Sequence, residues 1–121
     1  MRENGAMMEE LCANPYPLSK EVSEALDRIR IKDSKAVADV FQAIADPARV
    51  KIIEALGHRE LCVCVLVELT GLRYSALSYH LKQLKDAGLI SSDKDGTFLI
   101  YSLTSTGRSF QKLILKYGNK T

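Results

Sequence analysis

Cys62-Val63-Cys64 is the segment of this 121-residue chain whose residue types and spacing first suggest chemistry. A thiolate is a nucleophile and a soft metal ligand, and two thiolates within reach of each other can chelate one ion. Reach depends on the backbone between them. Residues two apart in a regular helix point about 200° away from each other, whereas in extended backbone they share a face. The pair falls where Arg59-Glu60-Leu61 leads into an apolar segment. An unwound first helical turn there would bring both sulfurs together, and the positive end of the helix favours the thiolate. The plain alternative is two small hydrophobes buried in an apolar stretch. His58, close by, is placed to assist the pair, and its plainer reading is an exposed loop histidine. With Cys12 the chain holds three cysteines, an odd number and a poor disulfide framework. A thiol enzyme is not indicated: the redox spacing Cys-x-x-Cys is absent, and no acid or base partner is evident.

The elements that must position these thiols follow from apolar periodicity. After a polar arm ending at Asn14-Pro15-Tyr16-Pro17, Val22, Ala25, Leu26 and Ile29 recur at helical spacing behind a cap at Ser19. Asp33 caps a second helix carrying Val37, Val40, Phe41 and Ile44. Asp46 with Pro47 opens a third, with Val50, Ile53 and Leu56 inward and an end at Gly57. A short apolar segment over 61–69 stops at Thr70-Gly71, and a helix over 75–87 follows with Leu77, Leu81 and Leu84 on one face. Two short helices joined through a glycine turn make a helix-turn-helix. Leu89-Ile90 and residues 97–103 then read as strands around Asp93-Lys94-Asp95-Gly96, a hairpin wing. Thr104 caps a last helix in which Phe110, Leu113, Ile114 and Tyr117 form one stripe. The expected fold class is mainly α with a β-hairpin wing, a winged helix-turn-helix. Residues 1–17 are an arm, 18–118 the domain and 119–121 a tail.

The helix after the glycine turn carries a second chemistry. Opposite its leucines it presents Tyr74, Ser75, Ser78, Tyr79, Lys82 and Gln83. Short hydroxyls and an amide suit base edges in a major groove, while Arg73, Lys82 and Lys85 suit phosphates. Charge along the chain agrees. Residues 1–70 hold nine Lys/Arg against twelve Asp/Glu, a balance of −3, and residues 71–121 hold eight against three, a balance of +5. A basic half points to a polyanion partner, and a solvated lysine-rich surface is the plainer reading of charge alone.

Ala45-Asp46-Pro47-Ala48-Arg49, Glu60-Leu61-Cys62-Val63-Cys64, Ser75-Ala76-Leu77-Ser78-Tyr79-His80-Leu81-Lys82 and Ala87-Gly88-Leu89-Ile90, in that order, resemble the ArsR/SmtB family of metalloregulators over about residues 36–117. The resemblance implies a winged-helix homodimer that represses transcription at an imperfect palindrome in double-stranded operator DNA and dissociates when metal binds. It implies dimerisation through the terminal helices, with Phe110, Leu113, Ile114 and Tyr117 matched by Val22, Leu26 and Ile29, and a packing and hydrogen-bonding role for His80. It also makes Cys62 and Cys64 inducer ligands, with Cys12 of the arm standing in for the third thiol that relatives carry just downstream. Three thiolates suit trigonal As(III) or Sb(III), with Pb(II) and Cd(II) as alternatives, better than tetrahedral Zn(II). The family's other metal site, on the last helix, has no counterpart, because residues 104–117 contain no His and no acid. Two departures stand out. Arg73 replaces the usual Ser or Thr, which leaves Ser75 to cap the reading helix, and the wing has Lys94 as its one basic residue between two aspartates.

Two other mechanisms fit the same fold: a redox-sensing repressor that forms a cysteine disulfide, and a constitutive DNA-binding module with inert thiols. No apolar run approaches the roughly 20 residues needed to cross a bilayer, and the first ten residues carry Glu3, Glu9 and Glu10 rather than a signal-like pattern. A cytoplasmic protein without a membrane partner is therefore expected.

Overall fold

The computed structural model describes residues 19–29 and 33–119. The chain divides at residue 32 into two units. In the first, α1 (Lys20–Ile29) starts where Ser19 Oγ accepts from the Val22 N–H at 3.2 Å, as the sequence predicts. Val22 and Leu26 stand exposed on it. The side chain of Ile29 and the whole of Cys12 lie outside the described residues.

The second unit begins with α2 (Ser34–Ile44) and α3 (Pro47–His58). Both N-caps are the expected ones: Asp33 accepts from the Ala36 N–H at 2.9 Å and Asp46 from the Ala48 N–H at 2.8 Å. Helix α3 runs one residue past the expected stop at Gly57, to His58. The apolar segment over 61–69 then divides. Leu61–Cys62 form a two-residue strand, β1, and Val63–Thr70 form α4. Gly71 closes α4 at φ 68°, a left-handed conformation that glycine adopts without strain, while its N–H donates to Val67 O at 2.9 Å.

Helix α5 (Tyr74–Asp86) follows, then β2 (Ile90–Asp95), β3 (Phe98–Leu103) and α6 (Ser105–Gly118). The expectation that Ser75 caps α5 is not met: Arg73 is the N-cap residue, without a side-chain cap bond, and Ser75 is the second residue of the helix. At α6 the expected cap holds, and Thr104 Oγ1 both accepts from the Gly107 N–H (3.1 Å) and donates to Gly88 O (2.6 Å).

The sheet is antiparallel in the order β1-β3-β2. Ile90 pairs with Leu103 and Asp95 with Phe98, so β2 and β3 form the hairpin wing. Beneath it lies one core: Ile52, Ile53 and Leu56 of α3, Leu66 of α4, Leu77, Leu81 and Leu84 of α5, with Leu89, Ile90 and Leu103. Three leucines of α5 spaced four and three apart, all buried, give that helix one inward face and leave the other free.

Candidate nucleic-acid interface and thiol pair

The outward side of α5 is what the leucine stripe leaves. Tyr74, Ser75, Ser78, Tyr79, Lys82 and Lys85 are exposed, as is Arg73 just before the helix, and Gln83 is half-buried. The tyrosines stand out most, with 60% of Tyr74 and 56% of Tyr79 accessible. Two of the lysines already have partners. Lys82 Nζ lies 2.8 Å from Asp86 one turn on, which raises its pKa through the hydrogen bond and the charge. Lys85 Nζ donates to Ser92 Oγ on β2 at 2.7 Å, tying the end of α5 to the wing. At the other end of the helix, burial pushes the Tyr101 phenol of β3 above its ordinary value, with the nearby Tyr74 adding to the rise. Lys94 stands exposed on the wing between Asp93 and Asp95.

His80 is half-buried and bonded, in the role the resemblance implies. Its Nδ1 accepts from Arg49 Nε of α3 at 2.9 Å. Nothing local in the sequence announces this partnership, because the two residues are 31 positions apart.

The thiol pair has a different local structure from a frayed helical turn. Cys62 ends β1, in extended backbone (φ −80°, ψ 162°), and is the N-cap residue of α4; Cys64 is the second residue of that helix. Strand pairing, rather than fraying, supplies the extended backbone: Cys62 pairs with Ile100 of β3. Cys62 is half-buried and Cys64 exposed, and neither is in a disulfide. Cys62 makes no formed side-chain cap bond. The Val65 N–H in the first turn of α4 nevertheless holds its thiol below the ordinary value, against some desolvation, with smaller help from the Cys64 N–H and the Cys64 thiol. That is the behaviour of a thiol at a helix N-terminus. Among the described residues no group of three His, Cys, Asp or Glu side chains gathers to hold a metal ion. Cys62 and Cys64 are thus two soft donor groups two positions apart, one ending a strand and the other in the first turn of a helix. His58 is exposed, as expected, but it is the last residue of α3 rather than a loop residue.

The model of the family "Bacterial regulatory protein, arsR family" matches residues 46–92, from the α3 cap into the wing. The cadmium resistance transcriptional regulatory protein CadC of Listeria innocua is 32% identical over 96 residues, covering 78% of this chain and 81% of the relative. The arsenical resistance operon repressor of Bacillus subtilis is 45% identical over 64 residues, covering 52% of this chain and 61% of the relative. The solution structure of a homodimeric winged helix-turn-helix DNA-binding domain from Mycobacterium bovis, a possible ArsR-family regulator, superposes with a TM-score of 0.60 at 25% identity. That match covers 85% of this chain and 86% of the other. Fold and family are those of winged helix-turn-helix DNA-binding transcriptional regulators, not of enzymes. The chain belongs to the ArsR family.

Proposed function

We propose that this protein is a homodimeric repressor that holds double-stranded operator DNA with α5 and releases it when Cys62 and Cys64, with Cys12, capture a thiophilic metal or metalloid. The observation that carries the reading is the position of Cys62. It is a thiol held toward its ionised form, sitting at the junction of β1 and α4, the first helix of the helix-turn-helix. Soft thiolates select soft ions, and a set of three favours trigonal As(III) or Sb(III), with Pb(II) and Cd(II) next. The names of the relatives in cadmium and arsenical resistance are consistent with this chemistry.

An inducer weakens DNA binding only by preferring the DNA-free conformation. Drawing the two sulfurs onto one ion pulls on Cys62 and the first turn of α4 together. Helix α4 passes the strain to α5 through buried Leu66 and the Gly71 turn. Tyr74, Ser75, Ser78, Tyr79 and Gln83 are assigned to base edges, and Arg73, Lys82, Lys85 and Lys94 to phosphates. The operator is assigned two-fold symmetry to match a dimer.

The dimer face is assigned to α6. Leu113 and Tyr117 are exposed there, beside a groove shared with Phe41, Phe110 and Ile114, and Phe41 and Phe110 meet edge-on at 5.3 Å. An apolar face of that kind on a soluble regulator fits a second copy of the chain. Val22, Leu26 and Ile29 of α1 are assigned to the same assembly.

The deciding experiment is release of fluorescent operator duplex during titration with arsenite, antimonite, lead, cadmium or a thiol oxidant, for the wild type and three serine variants. Cys62→Ser and Cys64→Ser should bind DNA and ignore the ion. Cys12→Ser should raise the concentration of ion needed more than it lowers release at saturation. Normal release by both Cys62→Ser and Cys64→Ser would remove the thiol mechanism, and release by oxidant alone would replace ion capture with a redox switch.

A further inference from the structure

Arg49, the third residue of α3, reaches three groups with one planar side chain. Its Nη1 donates to Ala43 O near the end of α2 at 3.2 Å. Its Nε donates to His80 Nδ1 at 2.9 Å, and its guanidinium carbon lies 5.6 Å from the centre of the Tyr79 ring. The Tyr79 and His80 rings in turn meet edge-on at 5.7 Å. The start of α3 is itself pinned, since Asp46 Oδ1 accepts from the N–H groups of Ala48 (2.8 Å) and Arg49 (3.4 Å). Arg49 therefore joins the α2–α3 corner to two consecutive side chains of α5. One of these, Tyr79, projects to solvent on the face assigned to base edges.

We propose that Arg49 is a positioning residue for sequence recognition: it sets the direction of the Tyr79 ring and the placement of α5 over the groove through its bonds within the protein rather than by contacting a phosphate itself. A tyrosine on an open helix face has several rotamers, and only a fixed ring can distinguish one base edge from another. The guanidinium over the ring and the edge-on contact with His80 together restrict the directions the ring can take. Lysine cannot substitute, because it lacks both the fork that spans His80 and Ala43 and the flat face that lies on an aromatic ring. The bond from Arg49 Nε–H also requires His80 Nδ1 to be the unprotonated, accepting nitrogen. An asparagine at position 80 offers an oxygen acceptor in nearly the same place.

This inference rests on the assignment of Tyr79 to the reading face, and the test separates the two. Affinities for an operator duplex and for an unrelated duplex of equal length are measured across a salt series for Tyr79→Ala, Arg49→Lys, His80→Leu and His80→Asn. All are measured at a temperature well below the lowest melting midpoint of the set, so that only folded protein is compared. Arg49→Lys and His80→Leu should each lower the operator-to-unrelated ratio by roughly 3- to 10-fold, part of the loss shown by Tyr79→Ala, with an unchanged salt slope. His80→Asn should keep most of the discrimination. A salt slope reduced by about one in Arg49→Lys, with all sequences weakened alike, would make Arg49 a phosphate contact and overturn the proposal. Unchanged discrimination in both Arg49→Lys and His80→Leu, with Tyr79→Ala impaired, would overturn it as well. Unchanged discrimination in Tyr79→Ala itself would instead remove the assignment beneath it.

Discussion

Leu81 and Lys82 are neighbours in sequence on opposite faces of α5, and replacing each with alanine should damage different properties. Leu81 is 2% exposed and packs among Ile52, Ile53 and the other leucines of the core. Truncating a leucine in such a setting costs about 2–5 kcal/mol, the transfer free energy of the lost carbons plus the cavity left behind. Even the lower figure lowers the melting midpoint of a domain of this size by about 8–16 °C. Lys82 is the opposite case: its side chain and that of its Asp86 partner are 71% and 62% exposed. A pair so open to water is screened and contributes too little to stability for thermal melting to register. Its loss should appear in DNA binding, where one fewer phosphate neutralised reduces the slope of log K against log salt by about 0.9. Asp86→Asn provides the reverse test. It removes a carboxylate that competes with phosphate for Lys82 Nζ, so binding to all duplexes should tighten. The assay is thermal unfolding by circular dichroism beside fluorescence anisotropy on operator and unrelated DNA from 50 to about 200 mM salt. Lys82→Ala with an unaltered salt slope, or Leu81→Ala with an unaltered midpoint, would refute the division of α5 into a core face and a DNA face.

Other outcomes follow from particular contacts. Cys62 should react with iodoacetamide at a pH below that at which an ordinary thiol reacts: the Val65 N–H favours the charged form, so the thiolate is reached earlier as pH rises. The rate profile is measured in Cys64→Ser, where one thiol remains in the motif, and a half-rise at or above the ordinary thiol value would contradict the electrostatics. Gly107→Ala should destabilise the fold by about 1–3 kcal/mol, because the added carbon meets the Leu89 carbonyl oxygen and a Leu103 methyl, and backbone cannot give way. Gly57→Ala should cost much less in the same melting experiment, since only the flexible Gln111 side chain stands in its way. Leu113→Glu should yield monomers by sedimentation at micromolar concentration, and it is a cleaner probe than a change at Phe110, which packs on Phe41 within one protomer.

Much of the fold was legible because its signals are local. Asp33, Asp46 and Thr104 cap helices where an oxygen is needed two or three residues ahead of an orphan N–H, and Gly71 stands where a left-handed residue must. The leucine period of α5 likewise told its inner face from its outer one. The expectation at Ser75 failed because Arg73 occupies the N-cap position in extended backbone without supplying an acceptor, and the helix starts regardless. Core burial of Leu77, Leu81 and Leu84 outweighs one missing cap bond. What the sequence concealed is non-local. No pattern near Leu61-Cys62 shows that two residues will pair with Tyr101 and Ile100, nearly forty positions away, and nothing near Arg49 names His80.

That hidden strand pairing bears most directly on how a thiol site can act on a DNA face. Leu61 pairs with Tyr101, Tyr101 with Ser92 on the other side of β3, and Ser92 Oγ accepts from Lys85 Nζ at the end of α5. Cys62, in the adjoining row, pairs with Ile100, which pairs with Asp93 in the wing. The thiol pair is therefore joined to the proposed DNA-facing elements twice, through the core under α4 and along the sheet to the wing and the far end of α5. The two routes differ in stiffness. Leu66 and Leu77 are fully buried, and a packed core has little compressibility, so a displaced α4 must carry α5 with it. The sheet route depends on a two-residue strand and a single exposed hydrogen bond, which yield more readily. On these grounds the core route transmits the larger part of any displacement, and the sheet determines whether the wing follows the helix or stays behind.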